Sequence, residues 1–255
     1  AMNARYRKYI DTDQSKAEEY LLTDFADTSQ YLSAQNFTDN VINVAMPSTY
    51  HFLEKVIDEI VRMYQDAGVE LTAFHVGGDE VPEGIWEGSS ICRTFMQENG
   101  LTKIRDLKDY FLEQILEMLD KRNIQAVGWQ DIVMNPDNTV NEHFRNSKVL
   151  NYCWNTIPEQ GGDEVPYKLA NAGYPVILCN VGNFYLDMAY CYHVEEPGLR
   201  WGGYVDESVS FSMLPFSIYR SLRTDGAGNP VDLDAAEKGK TVLTAEGRKN
   251  ILGVQ

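Results

Sequence analysis

Basic residues, histidines, cysteines and long apolar runs are all scarce in these 255 residues, and each scarcity removes a class of function. Lys and Arg number 22 against 38 Asp and Glu, a formal charge of −16. Such a surface repels phosphate backbones and anionic lipid headgroups, so nucleic acid is not an expected partner. The four cysteines, at 92, 153, 179 and 191, form no Cys-x-x-Cys pair, and three sit in apolar or aromatic runs. A buried free thiol is the usual outcome there, which argues against a disulfide framework and a zinc site. His51, His75, His143 and His193 are too scattered for a metal cluster and include no His-x-x-x-His pair. No metal and no cofactor is called for. No apolar stretch approaches the roughly 20 residues that span a bilayer, and the opening Ala1-Met2-Asn3-Ala4-Arg5-Tyr6-Arg7-Lys8 lacks the apolar centre of a signal peptide. What remains, 44% hydrophobic and 24% charged, is a globular make-up able to bury a substantial core.

Apolar spacing predicts alternating helices and strands. Phe52, Leu53, Val56, Ile57, Ile60, Val61 and Tyr64 trace one helix face, with Ser48 or Thr49 as cap and Gly68 as stop. Residues 71–76 read as a short buried strand closed by Gly77-Gly78. Leu107, Tyr110, Phe111, Ile115, Leu116 and Leu119 mark a second helix, from a possible Asp106 cap to Asn123. Strands at 124–129, 148–154, 174–180 and 251–255, with a helix at 165–172, continue the alternation. Repeated strand–helix order means parallel βαβ units, the α/β class. A (β/α)8 TIM barrel takes about 250 residues, yet only four or five strands are legible, so either the loops are long or the barrel is incomplete. Long loops at 81–106, 130–147 and 181–208 each leave the C-terminal end of a strand, where a barrel places its chemistry. Residues 225–240 read as a mobile connection, and nothing marks a second domain, so residues 1–255 are expected to be one.

The sharpest chemical signal is His75-Val76-Gly77-Gly78-Asp79-Glu80. Successive strand residues point to opposite faces, so two adjacent carboxylates share a pocket only if the backbone turns, which the glycines permit. Two like charges that close resist ionising together and divide into one acid and one anion, a division suited to glycosidic cleavage. A solvated strand end and a metal site built from His75, Asp79 and Glu80 are the other readings. Trp129 and Trp154 end successive strands and would form part of an aromatic wall, and aromatic faces pack on the apolar faces of sugar rings. Tyr185 and Asp187, two residues apart, would face one way if extended.

Those residues carry a resemblance. His75-Val76-Gly77-Gly78-Asp79-Glu80, Gly128-Trp129, Tyr152-Cys153-Trp154, Tyr185-Leu186-Asp187-Met188 and Gly198-Leu199-Arg200-Trp201-Gly202-Gly203-Tyr204 resemble, in order, the motifs of glycoside hydrolase family 20 β-N-acetylhexosaminidases. The resemblance covers nearly the whole chain. It implies an exo-acting hydrolase that removes terminal β-linked N-acetylglucosamine or N-acetylgalactosamine by substrate-assisted retaining catalysis, in which the sugar's own 2-acetamido oxygen attacks the anomeric carbon. Carried over by motif, Glu80 is the general acid and base, Asp79 holds the acetamido N–H, and Tyr185 donates to the acetamido oxygen. Trp129 and Trp154 enclose the acetamido methyl and the ring, Asp187 binds sugar hydroxyls, and His75 counts with the sugar-binding residues. Trp201 either lines the pocket mouth or packs a loop. The implied partner is a glycan or glycoconjugate ending in an N-acetylhexosamine, met outside the cytoplasm.

Three family elements have no counterpart here: an arginine that grips the sugar hydroxyls, a Gly-His element, and a late tryptophan with its acidic residue. The resemblance therefore implies roughly the C-terminal half of the barrel, strands 4 to 7 and the start of strand 8. From this follow three expectations: weak or absent hydrolysis by the chain alone, the alternative of a non-catalytic amino-sugar-binding fragment, and homo-oligomers formed through exposed half-barrel edges.

Overall fold

The computed structural model describes residues 2–147, 149–225 and 227–255. The chain forms two compact units, the first made of residues up to 74 with 80–124 and the second of 75–79 with 125–255.

In the first unit the helix Pro47–Asp66 starts differently from the predicted cap. Met46 precedes it in extended conformation, and Pro47, whose ring presets a helical φ, takes the first turn. Ser48 and Thr49 lie inside the helix and are buried, their hydroxyls donating to Leu21 O at 2.5 Å and Asn43 O at 2.6 Å. They anchor the helix to the preceding loop instead of capping it. The second predicted helix is Asp106–Asp120, burying Leu107, Leu112, Ile115, Met118 and Leu119. Asp106 reaches backwards and accepts the Thr102 and Lys103 backbone N–H groups at 3.0 and 2.9 Å. Between them, the stretch read as loop 81–106 contains a helix, Ser90–Asn99. It is capped by Ser89 Oγ on the Cys92 N–H and closed by Gly100 at φ 67°. Its Cys92 joins Val44, Ala45, Ile85, Trp86 and Leu107 in this unit's core.

The sheet has five strands in sequential order, β1 (Ala73–His75), β2 (Gln125–Trp129), β3 (Leu150–Cys153), β4 (Val176–Leu178) and β5 (Ile251–Val254). β2 through β5 pair in parallel, with Trp129 opposite Tyr152, Tyr152 opposite Ile177, and Ile177 opposite Gly253. Consecutive parallel strands with helical crossovers form part of a (β/α)8 barrel wall. Asn151, Cys153, Val176 and Leu178 are fully buried on one side of the second unit's sheet, where the helix Val165–Asn171 packs with Val165, Leu169 and Ala170 inward. Trp129, Tyr152, Ile177 and Gly253, which share the other side, are half-buried. β1 departs from its predicted burial: it is an edge strand, and Ala73 and His75 are exposed. Of the cysteines, 92, 153 and 179 are buried and free, and Cys191 is exposed and free.

The described residues of the connection, 225 and 227–240, are held by several contacts. The Asp225 carboxylate accepts the Ala227 and Asn229 N–H groups, Asp232 caps the short helix Leu233–Ala236, and Lys240 Nζ reaches Asp163, 3% exposed, at 2.9 Å. Burial raises the Asp163 pKa, and the Lys240 ammonium partly offsets that rise. A carboxyl with a raised folded-state pKa loses stability for the fold as pH climbs through that value. Lys240→Met removes the offset, so it is expected to cost about 3 kcal/mol at pH 7 and less at about pH 4, because a raised pKa lets Asp163 take up a proton more readily as the pH falls. Urea midpoints at the two pH values read the difference, and an equal loss at both would contradict the ion pair.

Candidate functional site

The second unit gathers its chemistry at the C-terminal ends of the strands. After β1 the chain turns through Gly77 (φ 73°) and Gly78 (φ 93°) to Asp79, which is exposed. Val76 N–H to Val127 O at 2.8 Å and Trp129 N–H to Gly77 O at 3.1 Å fasten this turn to β2. Ile132, from the 3-10 turn Gln130–Val133 that follows β2, explains two of the motif glycines. A Cβ on Gly78 would lie 2.1 Å from Ile132 Cγ2, and one on Gly128 would lie 2.4 Å from Ile132 Cδ1. Glycine at these positions serves close packing as well as the turn. Glu80, the first residue of the other unit's second segment, is exposed and adopts a left-handed φ of 49°, and its carboxylate accepts from Gln35 Nε2. A non-glycine residue held in that region carries backbone strain of the kind that collects at functional sites.

His75 heads an aromatic group whose ring centroids stand 4.9 Å from Trp129 and 5.3 Å from Tyr152, with Trp129 and Tyr152 6.1 Å apart. Loss of water around the imidazole lowers its pKa, and the Asp79 carboxylate acts the other way. Nδ1 accepts the Gly77 N–H at 3.1 Å, which requires a lone pair there and leaves Nε2 as the donor in the neutral ring.

A second group forms around Trp154, just past β3. Its indole N–H donates to Asp131 Oδ2 at 3.0 Å, its ring meets Trp201 edge-on at 6.0 Å, and Trp201 meets Tyr185 edge-on at 5.9 Å. Tyr185 follows the short helix Val181–Phe184 and packs on Ile157, Val181, Met188 and Val205. Trp201 is carried by a loop bonded to the 185–189 stretch, with Leu199 N–H to Asp187 O and Ala189 N–H to Leu199 O both at 2.7 Å. A Cβ on Gly198 would stand 2.7 Å from Ala189 N, and one on Gly202 would stand 2.4 Å from Val181 Cγ2. These glycines let the loop lie close enough to bring Trp201 to the other rings.

Among the sequence-predicted residues the structure thus joins Trp154, Trp201 and Tyr185 in one group and His75 and Trp129 in another. Asp187 does not lie on an extended strand with Tyr185. Met188 N–H bonds back to Tyr185 O at 3.2 Å, so 185–188 is a turn, and Asp187 is exposed upon it. Neither Asp131 nor Tyr152 is singled out by sequence, although Tyr152 stands inside a quoted motif segment and Asp131 lies two residues past another. Their neighbours come from other strands, and that pairing is invisible in local spacing. An imidazole, two phenols and three indoles, with exposed carboxylates at Asp79 and Asp187, suit a ligand that has apolar faces and polar edges. Among the described residues no three His, Cys, Asp or Glu side chains converge as metal ligands do, and no helix is long and apolar enough to cross a membrane.

Comparison with known proteins converges on one family. The model of the glycosyl hydrolase family 20 catalytic domain matches residues 8–255. A β-hexosaminidase of Vibrio vulnificus is 33% identical over 97% of this chain and 30% of its own length. The N,N'-diacetylchitobiase of Vibrio harveyi is 29% identical over 90% of this chain and 29% of its own. A crystal structure of the family 20 exo-β-N-acetylglucosaminidase of Vibrio harveyi with N-acetylglucosamine superposes with a TM-score of 0.68 at 27% identity, over 94% of this chain and 32% of that one. This chain therefore spans under a third of the length of these relatives. By the extent of the family match and the order of its strands, the chain belongs to glycosyl hydrolase family 20.

Proposed function

We propose that the chain carries the acid–base and acetamide-binding part of an exo-acting β-N-acetylhexosaminidase, which hydrolyses terminal β-linked N-acetylglucosamine or N-acetylgalactosamine with assistance from the substrate. The observation that carries this reading is the Trp154–Trp201–Tyr185 group, gathered from the end of β3 and the loops after β4 in a family 20 catalytic domain. In it the acetamido oxygen attacks the anomeric carbon, Tyr185 donates to that oxygen, and Asp79 accepts the acetamido N–H and offsets the positive charge that develops. Glu80 protonates the departing oxygen and then takes a proton from the incoming water. Trp129 and Trp154 enclose the sugar, Trp201 lines the mouth of the site, and Asp187 takes sugar hydroxyls. His75, neutral, presents Nε2–H. The left-handed backbone at Glu80 and the two-glycine turn before Asp79 support a chain shaped to present these carboxylates.

A chromogenic N-acetyl-β-glucosaminide tested beside the matching β-glucoside checks the mechanism. Hydrolysis of the first and none of the second is expected, because the glucoside has no acetamide to attack; equal rates would sink the proposal. A second reading is an amino-sugar-binding fragment without turnover, since the same aromatic group would hold an amino sugar whether or not it is cleaved. Binding of N-acetylglucosamine with neither glycoside cleaved would select it.

A further inference from the structure

Asp131 stands in the turn Gln130–Val133 directly after β2, and Trp154 directly follows β3, so their 3.0 Å hydrogen bond ties the tips of two neighbouring strands. The indole N–H can only donate and a carboxylate oxygen only accepts, which gives the bond a single sense. The turn that carries Asp131 is anchored by Ile132 and Val133, 4% and 0% exposed, so the acceptor is presented from a packed support. What the bond holds is an indole whose edge contact with Trp201, at an interplanar angle of 76°, is followed by the contact of Trp201 with Tyr185 at 83°. A ring freed to rotate at Trp154 therefore disturbs both partners down the line, since edge-on pairs hold only over a limited range of angle and distance.

We propose that Asp131 is a positioning residue of the sugar site. It acts through the Trp154 indole and, by way of Trp201, fixes the Tyr185 phenol, without itself touching the sugar. The inference rests on the reading given under Proposed function and adds to it a residue that sets the shape of the aromatic wall.

The experiment uses the chain labelled with nitrogen-15 at tryptophan, with the Trp154 Nε1–H resonance assigned by its loss in Trp154→Phe. In Asp131→Ala that resonance is expected to move toward that of an unbonded indole and to exchange faster with water. The affinity for N-acetylglucosamine, read from tryptophan fluorescence, is expected to fall about tenfold, the scale of one hydrogen bond. Asp131→Asn keeps the shape and one acceptor oxygen, so an intermediate shift and a partial return of affinity are expected; it also serves if the alanine variant does not fold. A resonance unmoved in both variants overturns the proposal, and so does a moved resonance with unchanged affinity. If the unaltered chain shows a bonded Trp154 N–H yet binds no N-acetylglucosamine, the sugar reading fails and the positioning role falls with it. A bonded resonance without sugar binding thus faults the sugar reading, whereas sugar binding with a resonance unmoved in the variants faults the positioning role alone.

Discussion

Gly78→Ala is expected to lower folding stability by about 3 kcal/mol, whereas Gly77→Ala next to it loses about 1 kcal/mol. Both glycines have positive φ, 93° and 73°, so each substitution strains the backbone. The difference lies in what a new methyl group meets. At Gly78 it would lie 2.1 Å from Ile132 Cγ2, while at Gly77 its nearest neighbour is Asp79 Oδ1 at 4.0 Å. Ile132 is 4% exposed and cannot swing into solvent without leaving a cavity. Urea unfolding of the two variants, together with Ile132→Ala and the Gly78→Ala/Ile132→Ala pair, separates strain from collision. The double variant should lose at least about 1 kcal/mol less than the sum of the singles, because removing the isoleucine relieves the contact. Similar losses at Gly77 and Gly78, with strict additivity at Ile132, would show that the turn tolerates a side chain there.

The same glycine pair shows what was legible in sequence and what was not. Two glycines followed by two acids announce a turn, and the turn is there. That the second glycine also makes room for an isoleucine more than fifty positions later depends on how β1 and β2 come together, which no local pattern encodes. Strand and helix positions were legible because apolar periodicity is local: five strands and the helices Pro47–Asp66, Asp106–Asp120 and Val165–Asn171 all lie where the spacing placed them. The helix Ser90–Asn99 passed unread although Ser89 and Gly100 bracket it, because only Cys92 in it is fully buried and its apolar stripe is thin. Burial was harder than position. β1 looks like core by composition and is exposed because it is an edge. Trp129, Trp154, Trp201 and Tyr185 stand out by motif, whereas the places of Asp131 and Tyr152 beside them become visible only through the parallel register that sets Trp129 against Tyr152 and the strand tips side by side. The spacing of Tyr185 and Asp187 suits an extended stretch, but a single hydrogen bond from Met188 N–H to Tyr185 O makes it a bend.

Glu80→Gln separates chemistry from fold. Glu80 is exposed, and glutamine keeps its shape and an acceptor oxygen for Gln35, so stability is expected to change by no more than about 0.5 kcal/mol. Activity is expected to fall steeply, and by an amount that depends on the leaving group. A disaccharide of N-acetylglucosamine must expel a sugar alkoxide unless a proton arrives, so kcat/KM for it should drop about a thousandfold, within the range of general acid catalysis, or about 4 kcal/mol. A dinitrophenyl N-acetyl-β-glucosaminide departs as a stable phenolate and needs no proton. Its kcat/KM, which reports only steps through the first irreversible one, should fall less than about tenfold. Its kcat should still drop, because in the proposed mechanism the second step uses Glu80 as the base that activates water. The comparison is of variant with unaltered chain on each substrate, so a low starting rate affects both arms alike. Equal losses in kcat/KM on the two substrates would remove Glu80 from proton delivery and leave it a residue that shapes the turn.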